Sequence, residues 1–161
     1  MELREKQGLA GVLTIELLDT GGALMERRHV PNLITTAGKQ LLASLLMGKA
    51  DALPTRWAIA VGTGTSQPQS LDTALGTKVD EATDTTPKVE VVSRGDGTSQ
   101  VRATVTAILP ALTQPGVQPL TEAGIQITLG GATPVLFNRV RFEEVNRGPN
   151  MVMKMTWEIS F

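Results

Sequence analysis

The chain has no cysteine, no tyrosine and a single histidine, and its other aromatics are two Trp and three Phe. Without cysteine there are no disulfides, no thiolate metal sites and no cysteine nucleophile. One histidine cannot build a His-rich metal site or a Cys–His pair. His29 stands two residues before Pro31, at the end of a predicted strand, and reads as a surface or edge histidine. Excess charge of one sign is missing too: 15 basic and 16 acidic residues leave a formal charge of -1. A nucleic-acid binder normally carries a basic excess to neutralise phosphates, so no nucleic-acid partner is expected. No stretch approaches the roughly 18 apolar residues of a membrane helix, so no membrane partner is expected. The charged start, Met1-Glu2-Leu3-Arg4-Glu5-Lys6, has no long apolar run after it, and no signal peptide is expected.

What is present suits a folded domain. The 161 residues are 41% hydrophobic and 19% charged, too apolar for a disordered chain. With so few aromatics, the core must come from Val, Leu, Ile and Met. The length predicts one domain over 1–161, with a possible N-terminal hairpin extension at 9–30.

Period-2 alternation dominates. Leu13, Ile15 and Leu17 share one face of a strand over 9–18, and Asp19-Thr20-Gly21-Gly22 is a turn signal leading into a returning strand over 23–30. The period then changes. Ala37, Leu41, Leu42, Leu45 and Leu46 recur at helical spacing, with Thr35 or Thr36 as a cap and Gly48 at the C-terminal cap position. Strands are predicted over 56–61, 88–94, 98–109, 122–129 and 135–142. The segment 71–79 is ambiguous, 80–87 reads as an exposed polar loop, and 110–119 as a long proline-rich connection. The cleanest pattern closes the chain: Met151, Met153, Met155, Trp157, Ile159 and Phe161 lie on one face, and Lys154, Thr156, Glu158 and Ser160 on the other. The expected fold is mainly β, an antiparallel β-sandwich (jelly-roll-like) with one short helix packed on a sheet.

Few motifs carry chemistry. Gly62-Thr63-Gly64-Thr65-Ser66 is glycine-rich, but it lacks the Gly-Lys-Ser/Thr of a P-loop and the third glycine and following helix of a dinucleotide fingerprint. Arg94-Gly95-Asp96 spells an adhesion tripeptide, yet Gly-Asp-Gly at a hairpin tip is ordinary turn chemistry. Glu122, Glu143, Glu144 and Glu158 show no spacing that selects a catalytic pair, and Glu143-Glu144 before Arg147 reads as a solvated turn with local charge pairing. Asp72, Asp80, Glu81 and Asp84 lack the alternation and glycine of an EF-hand loop. No enzyme, cofactor, metal site or small-molecule substrate is expected. Arg139 and Arg141 alternate on one predicted strand and Lys154 and Glu158 on another. These four are the candidate interface residues, read as a row of mixed charge on a flat sheet face.

Several segments, taken in order from Asn32 to the end, resemble small tail and baseplate-associated structural proteins of tailed bacteriophages and related contractile particles. They are Asn32-Leu33-Ile34-Thr35-Thr36-Ala37-Gly38-Lys39; Trp57 through Thr65 with Asp72-Thr73-Ala74-Leu75-Gly76; Thr121-Glu122-Ala123-Gly124-Ile125 with Leu136 through Phe142; and Met155-Thr156-Trp157-Glu158-Ile159-Ser160-Phe161. Where that family commonly has an acidic residue after the Asp-Thr-Ala-Leu-Gly segment, this chain has Thr77-Lys78. The resemblance implies a β-sandwich without catalysis, made in a host cytoplasm and placed in a virion or phage-like particle. There it would self-associate as a homo-oligomer or dock to other particle proteins of the tail, collar or baseplate. A receptor- or glycan-binding module at a particle tip and a capsid decoration protein are the alternatives.

Overall fold

The computed structural model describes residues 8–161, and the charged segment Met1–Lys6 lies outside them. Eleven strands and one helix follow in the order β1 (Ala10–Asp19), β2 (Leu24–Pro31), β3 (Leu33–Ile34), α1 (Thr36–Leu46), β4 (Pro54–Gly62), β5 (Lys78–Asp84), β6 (Lys88–Ser93), β7 (Ser99–Leu109), β8 (Gln118–Leu129), β9 (Val135–Leu136), β10 (Asn138–Arg147) and β11 (Met151–Ser160). They form two antiparallel sheets, a β-sandwich. One sheet runs β2-β1-β11-β7-β6, and the other β3-β10-β8-β4-β5 with β9 beside β8. Among the described residues no helix is long and apolar enough to cross a membrane.

The core lies between the sheets. Leu13, Ile15 and Leu17 of β1, Met153, Met155, Trp157 and Ile159 of β11, and Val105, Ala107 and Leu109 of β7 meet Ile59 and Val61 of β4, Ala123 and Ile125 of β8, and Val140 and Phe142 of β10. The alternation places these residues inward because successive side chains of a strand point to opposite faces. Strand β11 sits at the centre of its sheet, paired with β1 over Ala10–Asp19 and with β7 over Arg102–Leu109. Its Trp157 is fully buried, and the indole N–H donates to Asn32 Oδ1 at 2.6 Å. The hairpin over 9–30 is therefore built into the five-stranded sheet rather than appended to it.

At both sides of the sandwich the chain crosses from one sheet to the other. It passes from β2 to β3 through Asn32, and from β5 to β6 through 85–87. The second crossing is where the sequence reading fails. The polar segment predicted as an exposed loop over 80–87 is strand β5 for most of its length, paired with β4 from Trp57↔Asp84 to Gly62↔Lys78. As an edge strand, β5 carries Glu81 and Thr83 on its outward positions and shares its inward side between Ala82 and two aspartates, Asp80 and Asp84. Asp84 is buried because its carboxylate accepts from Thr106 N at 2.8 Å and Thr86 N at 2.7 Å, closing the corner.

The helix forms as its periodicity predicts. Thr35 is the N-cap, its hydroxyl oxygen accepting from Gly38 N at 2.9 Å, and Gly48 ends the helix at φ +65°. Helix α1 lies against the β9 end of the second sheet, with Gly38 so close to the Phe137 carbonyl that a Cβ would overlap it.

Candidate functional site

Part of the outer face of the six-stranded sheet is closed off from solvent. Residues 63–77 leave β4, fold back across that face and return at Thr63 N to Thr77 O, 2.9 Å, forming a strap. Beneath it lies Glu122 of β8, fully buried. Its carboxylate accepts from three strap amides: Gly64 N at 3.0 Å, Gly76 N at 2.9 Å and Thr77 N at 2.7 Å. Arg139 of β10 donates to the same carboxylate through Nε at 3.2 Å and a terminal nitrogen at 2.9 Å. The remaining donors of Arg139 reach Asp72 Oδ2 at 2.7 Å, Ser66 O at 2.9 Å and Ser66 Oγ at 3.1 Å. Asp72 in turn accepts from Gln69 N at 2.8 Å, and Ser70 O accepts from the helix amide Thr36 N at 2.7 Å. Leu75 of the strap packs in a small apolar cluster with Ala60 and Leu136 of the sheet beneath.

The chemistry follows from this packing. Burial alone would push the Glu122 carboxyl up. The amides of Thr77 and Gly76, then Arg139 and Gly64, outweigh it and hold the group below its ordinary value. Asp72 is likewise pushed up by burial, but the Gln69 amide and Arg139 hold it below its ordinary value. The guanidinium of Arg139 stays charged between them. Three amides converging on one oxygen pair make a concave anion site of the kind glycine-rich loops offer to phosphate. Here the anion is the chain's own Glu122. Gly62 and Gly64 leave the room it needs, since a Cβ at either would run into the Glu122 carboxylate.

The four candidate interface residues do not share one surface. Arg139 and Arg141 do lie on the same face of β10, but the strap covers Arg139 and leaves Arg141 exposed. Lys154 and Glu158 belong to the other sheet, because β11 is not a neighbour of β10. The expected single charged row is thereby corrected. Sequence alternation gave the parity of Arg139 but not the segment folding over it. Lys154 and Glu158 line an open groove of about 680 Å³ with Asp84, Lys88, Glu90 and Arg102. Arg102 and Glu158 approach within 3.6 Å, and Lys154 is paired across the sheet with Glu16, which Arg27 also contacts at 2.9 Å.

Other polar residues also find their places. Arg147 is buried and bonds Asp80 at 2.6 Å and the Pro110 carbonyl at 2.6 Å, so it pairs with β5 and the proline-rich connection rather than with Glu143 or Glu144. His29 shares a hydrogen bond of 3.0 Å with Thr14 Oγ1 on the exposed outer face. Asp96 at the β6–β7 tip accepts from Thr98 N at 2.9 Å, and Gly97 takes φ +83°, as turn chemistry requires. Among the described residues no three His, Asp or Glu gather as metal ligands.

Sequence reasoning weighed Glu122 only among carboxylates for a catalytic pair and Asp72 only among those of a Ca²⁺ loop, and joined neither to Arg139. The available signal was opposite charge on two adjacent strands, Glu122 and Arg139, together with glycines at 62, 64, 76 and 124. Comparison with protein-family models, with curated proteins and with solved structures returned no match.

Proposed function

We propose that this chain is a structural subunit of a tailed-phage-like particle, a tail, collar or baseplate-associated protein that assembles through protein–protein contacts. One observation carries the reading. The middle segments of the family resemblance, 57–65, 72–76, 121–125 and 136–142, meet at the strap, and Asp72, Glu122 and Arg139 within them are engaged in holding it. Glu122, Arg139 and Asp72 bond to one another and to backbone, which suits a rigid scaffold better than a reaction centre. Cross-linking or mass photometry of the purified protein, with and without the proteins encoded beside it, tests this reading. Incorporation into a larger assembly is expected; a strict monomer that joins no particle overturns it.

The open groove around Lys154 and Glu158 favours a second reading, a receptor- or glycan-binding module at a particle tip. Binding on a glycan array that disappears with Lys154→Ala is the result that would support it.

A further inference from the structure

Strand β6 ends the five-stranded sheet, with β7 on one side and, among the described residues, no strand on the other. Along the core-facing side of β7 exposure climbs toward the hairpin tip, from 1% at Leu109 through 5% at Val105 to 41% at Val101. On β6, Val91 is paired with Val101 and Val89 with Ala103, and they are 71% and 77% exposed. The facing sheet stops short of them. The hairpin thus overhangs the sandwich as an arm with an apolar inner face and an edge that no described strand pairs. The opposite edge is treated differently: Arg28 of β2 donates to the carbonyls of Glu143 and Glu144 on β10, bridging the sheets there. An unpaired strand edge is a template for another strand, and chains usually guard it with charge.

We propose that the free edge of β6 pairs antiparallel with the same edge of a second copy of this chain, in the register centred on Val89. The inference deepens the reading of the chain as an assembling subunit and rests on it for its place in a particle. Charge selects both the occupant and the register. Lys88 and Glu90 lie on the outer face of β6, Val89 and Val91 on the inner face. Directly opposed residues in an antiparallel pair share a face, so a two-fold pair that keeps both inner faces together must be centred on a residue. Centred on Val89, Lys88 meets Glu90 of the second copy twice, Val89 meets Val89, and Val91 meets Pro87, which lacks an N–H and closes the ladder at its rim. Centred on Glu90, two glutamates face each other; centred on Val91, Lys88 faces Arg94. The charges that block these pairings permit the first.

The chain lacks cysteine, so Val89→Cys introduces a single thiol at the proposed two-fold axis, at a position exposed enough to leave the fold intact. Opposed Cα atoms would be about 4.5–5.5 Å apart, within the span of a disulfide. Mild oxidation of V89C at micromolar concentration is expected to give a covalent dimer much faster than V12C, a control thiol on the outer face of β1. In sedimentation velocity, K88E and E90K should each weaken the dimer by at least about tenfold, because symmetry opposes like charges at both pairs. The double variant K88E/E90K should restore it. V89C that cross-links no faster than V12C, or a double swap no stronger than the single ones, overturns the proposal. If the wild-type chain still enters a particle in that case, the edge pairing fails and the assembly reading stands. If V89C dimerises but the chain joins no particle, the reverse holds.

Discussion

The outer faces of the two sheets carry the same kinds of side chain and treat them in opposite ways. On the six-stranded sheet, Glu122 and Arg139 are buried under the strap and bonded to its backbone. On the five-stranded sheet, Glu158 and Arg102 stand half-exposed at 3.6 Å, with no described segment strapped over them. An acid and an arginine on neighbouring strands are common to both. The covering segment makes the difference, because burial converts a weak surface pair into a group that must be fully satisfied.

The strongest way to break this comparison is Glu122→Ala. It strands three strap amides and leaves Arg139 buried without one of its carboxylates. A loss of about 3–5 kcal/mol is expected, read as a fall on the order of 10 °C in Tm. Exchanging both Glu122 and Arg139 for apolar residues should not recover stability, as it can in other buried pairs, because the amides of Gly64, Gly76 and Thr77 would remain unpaired. Urea unfolding of the single and double variants measures this.

Acid should release the same strap. Glu122 and Asp72 both have folded values held below their ordinary 4.5 and 3.8. Their stabilising contribution is present above those ordinary values and is lost as pH falls through the lower folded ones. Thermal unfolding followed downward from pH 6 should show a loss of stability on acidification that is smaller in Glu122→Gln.

A smaller effect is expected on the open face. Glu158→Ala should cost less than about 1 kcal/mol, and salt should reduce that difference. A loss as large as that at Glu122 would mean that the two faces are not different in kind.

Much of the fold was legible in the sequence, and the reasons are particular. Strand β11 and the inner face of β7 were readable because period-2 alternation survives wherever one face meets a core and the other meets water. Helix α1 was readable from its periodicity and its caps at Thr35 and Gly48. Strand β5 was not: an edge strand rich in Asp and Thr looks like a loop until its pairing with β4 is known. The site was less legible still. Alternation put Arg139 outward, which is correct, and only the long-range return of residues 63–77 makes that outward face an interior. The glycines that resemble a phosphate loop belong to an anion site already filled by the chain's own carboxylate.

Amide hydrogen exchange of the strap tests the account most directly. The account predicts that Gly64, Gly76 and Thr77 are protected in the wild-type chain, and that in Glu122→Gln they exchange faster while Met155 and Trp157 of β11 stay protected. Strap amides that exchange freely in the wild-type chain, or that are indifferent to Glu122→Gln, would contradict it.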